Sequence, residues 1–152
     1  MLRKATRKII TSFTLLLFVS LSFPAFSKID NSSLKCLADT IYFEARGEPR
    51  KGQEMVAKVV LNRTKSSKFP STICGVVKQK NQFSWVRKNP KVKNRSAYDS
   101  AKKLAAHVAK HHRASSSGAL YFYNPRKANP SWVKRMKVVE RVGNHVALKP
   151  KN

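Results

Sequence analysis

The chain has 152 residues, with 32 Lys and Arg against 7 Asp and Glu, and its formal net charge is +25. This length is enough for one compact domain with a modest hydrophobic core and excludes a series of ordinary domains. So large a positive charge indicates an anionic partner. Composition alone does not choose between nucleic acid and the polyanions of a cell envelope, such as stem-peptide carboxylates, teichoic acids and lipid head groups.

The first 27 residues have the three parts of a secretory signal peptide. A basic start, "MLRKATRK", is followed by the apolar run "IITSFTLLLFVSLSF" and then by "PAFSK". Ala25 and Ser27 occupy the small-residue positions of a cleavage site, so we expect cleavage after Ser27 and export to the periplasm or beyond the cell. An uncleaved membrane anchor is the alternative, because the apolar run is near the lower limit for a span. The helix-breaking Pro24 and the small residues favour cleavage, which leaves no stable transmembrane span.

Export narrows the choice of partner. The leader carries four of the positive charges and no acid, so the mature chain keeps a charge of +21. An exported protein seldom meets nucleic acid. We therefore expect the mature chain to bind anionic envelope polymers, with no nucleic acid among its partners.

Cys36 and Cys74 are the two cysteines of the chain. In an oxidising compartment an isolated pair usually forms a disulfide, and we predict that these two residues are bridged. A catalytic thiol would need a nearby base, and a zinc site would call for a C-x-x-C pair, which the sequence lacks. We expect no metal and no cofactor.

The mature chain is predicted to consist of a short linker over 28–33 and one domain over 34–150, in which helices come first. Apolar residues recur at helical spacing, and capping residues or glycine and proline stand at the segment ends. The predicted helices are 34–45 after an N-cap within 31–33, Gln53–Thr64, a short helix through 73–77 capped by Ser71 or Thr72, and a long helix capped by Ser96 and running through Val108. Residues 80–96 are polar and are expected to be irregular.

Strands follow the helices. "ALYFYNP", at 119–125, is rich in β-forming residues, and "KVVERVGNHVALK", at 137–149, predicts two strands around a two-residue Gly-Asn turn. Alternate side chains of a strand face opposite sides, so Tyr121 and Tyr123 share one face and Phe122 points to the other, toward the core. The order of elements predicts an α+β, helix-dominated domain with a small C-terminal antiparallel sheet.

Glu44 lies in the stretch "IYFEARGE", at the margin of the apolar stripe of the first helix. Such a position is typical of a cleft wall, and partial loss of hydration there raises the pKa of a carboxyl group. A carboxyl that stays protonated near neutral pH can protonate a glycosidic oxygen, which is the general-acid step of sugar-chain cleavage. The alternative is an ion pair with a nearby cation such as Arg46 or Arg50.

Several motifs occur in a fixed order along the chain. "IYFEARGE" is followed by a helix ending in "VVLNR", then by "FPSTICGVV" and "QFSWV", and finally by "ALYFYNP", a segment around Trp132 and "GNHV". Over about residues 34–148 this order resembles the SleB-type cell wall hydrolases, the family of the spore cortex-lytic enzymes. The resemblance implies a lysozyme-like or lytic-transglycosylase-like fold that acts on the glycan of peptidoglycan.

The same resemblance implies that Glu44 is the catalytic acid and base. Glu48 matches the second acid of the block, and it is expected to position a water, to bind sugar or to brace the loop with Arg46. A glycosidase with two carboxyl groups would use Glu48 or Asp99 as the second. A lytic transglycosylase needs one acid and leaves 1,6-anhydro-muramoyl ends. The shortage of acids favours this single-acid route, with hydrolysis as the alternative.

Flat side chains suit the apolar faces of sugar rings, and amide side chains can bind their N-acetyl and hydroxyl groups. The candidate substrate-binding residues are Glu48, Gln82, Phe83, Trp85, Tyr121, Tyr123 and Asn124. Each aromatic residue has a core position as its alternative, and each amide has a structural role in a turn. His145 is expected to be a structural histidine in the last strand.

Two functions of other classes remain open from the sequence. His107 and His111 have the i, i+4 spacing of helical zinc ligands, but the H-E-x-x-H pattern of zinc peptidases is absent. A non-catalytic binding module for envelope polymer or nucleic acid would account for the charge. We expect a monomeric enzyme that binds peptidoglycan glycan strands.

Overall fold

The structure is a computed structural model that describes residues 29–112 and 118–151. The predicted signal peptide lies outside these ranges. Helices α1 to α5 come first, and strands β1 to β3 follow. They are α1 Asn31–Ala45, α2 Arg50–Arg63, α3 Ile73–Lys78, α4 Ser84–Lys88, α5 Arg95–His111, β1 Tyr121–Tyr123, a 3₁₀ helix Ser131–Arg135, β2 Met136–Val142 and β3 His145–Pro150. None of the helices in this part of the chain has the length and apolarity that a membrane span requires.

The first helix begins earlier than the sequence suggests. Asp30 is its N-cap, since its carboxylate accepts a bond from the Ser33 backbone N–H at 2.9 Å. The hydroxyls of Ser32 and Ser33 donate to the same carboxylate, which fixes it at the helix end. Helix α1 therefore includes residues 31–33, which were predicted to precede it.

Three other helices differ from the prediction. Helix α2 begins at Arg50, directly after Pro49, whose carbonyl oxygen accepts the first bonds of the helix from the Gly52 N–H at 2.8 Å and the Gln53 N–H at 3.1 Å. Asn94 rather than Ser96 caps α5, since its side chain accepts from the Ala97 N–H at 2.9 Å. Helix α4 was not expected. It forms because Phe83, just before it, is buried, and Asn89 ends it in the left-handed conformation with φ 42°.

The hydrophobic core has two parts. The larger lies between α1, α2, α3 and α5, and the smaller joins α2 to the sheet through Met55, Val59, Ala119 and Ala147. A disulfide joins Cys36 of α1 to Cys74 of α3, as predicted, with the two Cα atoms 5.4 Å apart.

The sheet is antiparallel with the strand order β1-β3-β2, so the last strand is central. Strands β2 and β3 form the predicted hairpin, and Gly143 at its turn has a φ of +56°, which favours glycine. The α+β, helix-dominated fold with a small C-terminal sheet is confirmed.

The end of α2 anchors the start of β1. Asn62 Nδ2 donates to the carbonyl oxygen of Ala119 at 2.9 Å, and Arg63 Nε donates to that of Leu120 at 2.7 Å. The Arg63 guanidinium is buried, which lowers its pKa to about 10, and it lies 4.8 Å from the centre of the Phe69 ring. The "LNR" segment therefore has a structural role in joining the helices to the sheet.

Candidate active site

Glu44 lies in the last turn of α1, at the border of the buried face. Ile41 and Ala45 beside it are fully buried, whereas Arg46 and Gly47 are exposed. Glu44 itself is half-buried, as its place at the margin of the apolar stripe predicts. Glu44 therefore lies between the buried face of α1 and the exposed residues that follow the helix.

Two aromatic rings accompany Glu44. The Phe43 and Trp85 rings are stacked, with centroids 4.9 Å apart and planes at 28°, so α1 and α4 meet at this point. Trp85 is half-buried and Phe43 packs against the larger core. The unexpected helix α4 thus places an indole ring beside the candidate acid.

The environment of Glu44 raises the pKa of its carboxyl group. Burial is the largest cause, and the positive charge of Lys127 and the indole N–H of Trp85 act in the opposite direction. The Trp85 Nε1 atom is buried and makes no hydrogen bond of good geometry, so the indole acts on the carboxyl group by proximity. A carboxyl with a raised pKa keeps its proton to higher pH, as a general acid requires.

Glu48 has a different environment from Glu44, although it lies only four residues further along, between α1 and α2. Its carboxylate accepts two bonds from Asn144 in the β2–β3 turn, from the backbone N–H at 2.8 Å and from Nδ2 at 3.0 Å. Burial acts to raise the pKa of Glu48, but these bonds and the charges of His145 and Lys127 outweigh it, and the net pKa is lowered. Glu48 therefore stays ionised, and its partner is Asn144; a contact with Arg46 was one of the three roles expected for it.

His145 is buried at the start of β3, in keeping with a structural role. Its ring meets the Phe122 ring edge to face at 5.4 Å. Burial lowers the pKa of His145, Glu48 acts to raise it and Lys127 to lower it. The imidazole is therefore neutral near pH 7. It lies close enough to Glu48 for the charge of that carboxylate to affect its pKa.

The predicted aromatic cleft residues separate into different places. Tyr121 and Tyr123 share a face of β1, and both rings lie near Trp132, at 5.9 and 6.0 Å between centroids. Phe122 points to the other side and packs against the core, as expected. Tyr121, Tyr123 and Trp132 thus form one aromatic cluster, and Phe43 and Trp85 form another beside Glu44.

Phe83, Gln82 and Asn124 lie in three different surroundings. Phe83 is 5% exposed, so its ring fills the core and presents little surface to a sugar. Gln82 is exposed and lies in the turn before α4. Asn124 Oδ1 accepts from the Arg126 N–H at 2.9 Å, so this side chain shapes the turn after β1.

The histidines of α5 do not assemble a metal site. His107 and His111 are neighbours, with ring centroids 4.5 Å apart, and His111 Nδ1 lies 2.9 Å from the carbonyl oxygen of His107. Over residues 29–112 and 118–151, no three His, Cys, Asp or Glu side chains come together as ligands for a metal ion.

The cell wall hydrolase family model matches residues 47–147 of the chain, a range that begins just after Glu44. The spore cortex-lytic enzyme of Oceanobacillus iheyensis is 31% identical over 125 residues, which is 78% of this chain. The chain belongs to the cell wall hydrolase family. The corresponding enzyme of Bacillus subtilis (strain 168) is 32% identical over 119 residues. The chain spans 42% and 37% of the lengths of these two relatives.

Two solved structures are similar in fold to this chain. The catalytic domain of the germination-specific lytic transglycosylase SleB from Bacillus anthracis superposes with a TM-score of 0.69 at 30% identity, over 81% of this chain and 98% of that one. The catalytic domain of the Bacillus cereus SleB protein gives 0.67 at 30% identity, over 81% and 94%. The similarity covers nearly all of each solved domain, and it confirms the lytic-transglycosylase-like fold that the motifs imply.

Three residues of the candidate site were not among the sequence candidates. Lys127, on the exposed loop after β1, affects the pKa of Glu44, Glu48 and His145, but nothing distinguishes it from the other lysines in the sequence. Asn144 was predicted only as a turn residue. Trp132 was noted only within a motif, because its spacing from the tyrosines in the sequence gave no sign of contact with them.

Proposed function

We propose that this chain cleaves the glycan backbone of peptidoglycan as a lytic transglycosylase, with Glu44 as the single acid and base. Membership of the cell wall hydrolase family and the fold shared with the B. anthracis lytic transglycosylase support the substrate and the reaction. The environment of Glu44 supports the choice of catalytic residue. Action outside the cytoplasm, as a monomer and without a cofactor, completes the proposal.

The observation that carries the proposal is the contrast between Glu44 and the other carboxyl groups. The chain has seven acids, all within the described residues. The pKa is raised at Glu44 but lowered at Asp30, Glu48 and Asp99. A general acid needs the raised value, because it must carry a proton at the pH of the reaction.

The other acids have partners or stand in solvent. Asp30 caps α1, Glu48 binds Asn144, Asp39 pairs with Lys35, Glu54 pairs with Arg50, Asp99 pairs with Lys102, and Glu140 is exposed on β2. A hydrolase would need a second carboxylate at about 5–5.5 Å or about 6.5–9.5 Å from the first, with an oxygen turned to the substrate. Glu48 is the nearest in sequence, and both of its oxygens are engaged.

A single carboxyl group suffices for the proposed reaction. Protonated Glu44 gives its proton to the oxygen that bridges C1 of the muramoyl sugar to the next sugar, and the C1–O bond breaks. The N-acetyl oxygen of the muramoyl sugar stabilises the positive charge that develops at C1. The Glu44 carboxylate then removes the proton of the 6-hydroxyl, whose oxygen bonds to C1. The 1,6-anhydro end forms, and Glu44 is protonated again.

Neighbouring residues supply surfaces for the substrate. The half-buried indole of Trp85, stacked on Phe43, presents a flat apolar surface next to the acid, which suits a sugar ring. Lys127 places a positive charge near Glu44, which suits the stem-peptide carboxylates of peptidoglycan. The charge of the whole chain favours binding to the anionic polymer before cleavage.

Mass spectrometry of digested peptidoglycan tests substrate, bond and mechanism together. Wild-type protein should release muropeptides with 1,6-anhydro ends, and Glu44→Gln should release none while remaining folded. Glu140→Gln, the same substitution on an exposed strand, is the matched control and should digest like the wild type. Reducing ends in the wild-type digest would make the chain a hydrolase. Binding without cleavage by the wild type would favour the non-catalytic binding module.

A further inference from the structure

Two hydrogen bonds fasten the β2–β3 turn to the corner between α1 and α2. Both oxygens of Glu48 accept from Asn144, across 96 residues of sequence. Glu48 is itself fixed, because its N–H donates to the Ala45 carbonyl at 2.9 Å and its own carbonyl accepts from Gln53 Nε2 at 3.0 Å. Bonds to an ionised carboxylate are about twice as strong as neutral ones, so this contact is well suited to hold two elements together.

The two glycines at this contact let the turn and the corner approach closely. A Cβ atom on Gly143 would overlap Glu48 Oε2 and lie 2.9 Å from Pro49 Cδ. A Cβ atom on Gly52 would lie 3.1 Å from Glu48 Cβ and 3.7 Å from Val142 Cγ1. The turn therefore rests directly on the corner, with no room for a side chain between them.

The β2–β3 turn that Glu48 holds lies at the edge of the sheet where the strands end nearest the active site. Strand β1 pairs antiparallel with β3, and Tyr123 is opposite Val146, so the end of β1 lies beside the β2–β3 turn. The loop with Lys127 leaves the sheet at this edge, and its charge affects the pKa of both Glu44 and Glu48. A shift of the turn would therefore move this loop relative to Glu44.

We propose that the Glu48–Asn144 pair is a positioning clamp, which holds the active-site edge of the sheet against the helix that carries Glu44. Glu48 acts through Asn144 and takes no part in proton transfer or in activating water. This inference rests on the proposed function and gives the second acid of the motif a role in the same site. Since a displacement of about 1 Å can cost about 100-fold in rate, the clamp affects turnover without touching the reacting atoms.

The opposite end of β1 offers a matched control. Asn62 Nδ2 donates to the Ala119 carbonyl at 2.9 Å and also joins a helix to the sheet, but at the start of β1 rather than at its end. Loss of either contact weakens the packing of the sheet against the helices. The positioning role predicts that loss of the Glu48 contact also slows turnover, whereas loss of the Asn62 contact does not.

The experiment measures kcat, KM and urea-unfolding midpoints for Glu48→Ala, Asn144→Ala, the double variant and Asn62→Ala, on soluble glycan fragments. We expect kcat to fall about 10–100-fold in both clamp variants and no further in the double variant, because each change breaks the same contact. KM should stay within about twofold in these variants. Asn62→Ala should lower the unfolding midpoint but keep kcat within about threefold of the wild type.

Two conservative variants separate positioning from catalysis. Glu48→Gln keeps an oxygen for the Asn144 N–H and should restore kcat to within about fivefold of the wild type. Gly143→Ala keeps the Glu48 and Asn144 side chains but adds a Cβ atom that would overlap Glu48 Oε2, so it should match Asn144→Ala. A loss of about 10²–10⁴-fold in Glu48→Gln with near-normal Asn144→Ala would make Glu48 a catalytic carboxylate and overturn the clamp.

The clamp and the proposed function can fail separately. Reducing ends in the products would overturn the transglycosylase reaction but leave the comparison of variants intact. In a wild type without activity, the ¹³C resonance of the Glu44 carboxyl group reports changes in the surroundings of that group. It should shift in Glu48→Ala and Asn144→Ala and stay in place in Asn62→Ala. Equal shifts in all three, or equal losses of kcat, would refute the clamp.

Discussion

The disulfide offers a prediction whose magnitude follows from the structure. Cys36 and Cys74 are 38 residues apart, and a bridge of that span removes about 4 kcal/mol of chain entropy from the unfolded state at 25 °C. The double change Cys36→Ala and Cys74→Ala should therefore lower the free energy of unfolding by up to about 4 kcal/mol. For a domain of this size each kcal/mol is about 3–5 °C in Tm, so Tm should fall by about 12–20 °C.

Urea unfolding followed by circular dichroism checks this value. The wild-type protein under reducing conditions is the control, and it should unfold at nearly the same urea concentration as the double variant. Activity at a temperature where both proteins are folded should be nearly unchanged, because Cys36 lies in the second turn of α1 and Glu44 in the last. A difference below about 1 kcal/mol would refute the reasoning, since the bridge would then leave the unfolded chain almost unconstrained.

Three further predictions concern charge. Glu44→Gln should lower activity by about 10⁴-fold or more. Burial raises the pKa of Glu44, so the wild type loses stability as pH rises through that pKa, whereas the variant does not. The variant should therefore be more stable than the wild type at pH 7 but not below pH 4.5, and unfolding measured at several pH values checks this. Lys127 lowers the pKa of Glu44, so Lys127→Met should move the alkaline limb of the pH–rate profile to higher pH. Lys110→Met should leave this limb in place. An unmoved limb in Lys127→Met would contradict the electrostatic role of Lys127. Binding to intact sacculi should weaken from physiological salt to about 1 M, as the Debye length shrinks from about 8 to about 3 Å, and salt-independent sedimentation with sacculi would exclude an electrostatic contribution.

Local patterns were predictable because short-range forces decide them. The apolar spacing of α1, the Gly-Asn turn of the hairpin and the alternation along β1 each depend on neighbours within a few residues. The place of Glu44 follows from the same helical period. The family and its fold were predictable from motif order, which needs no knowledge of contacts.

Helix α4 shows where local information ends. It has five residues, and a helix so short is unstable in isolation. It exists because Phe83 is buried and Trp85 stacks on Phe43 of α1. The polar residues around it predicted an irregular segment, and only the packed core determines both the helix and the burial of Phe83.

The sequence by itself determined which carboxyl group stands at the edge of a buried helix face and which two cysteines are available to pair. Only the tertiary structure decided the environment of each acid. Glu44 and Glu48 are four residues apart in one motif, yet burial raises the pKa of the first, while Asn144, 96 residues further on, binds the second. Lys127 reaches the same site through a loop on the sheet. Such contacts depend on how the sheet packs against the helices, and no spacing in the sequence records it.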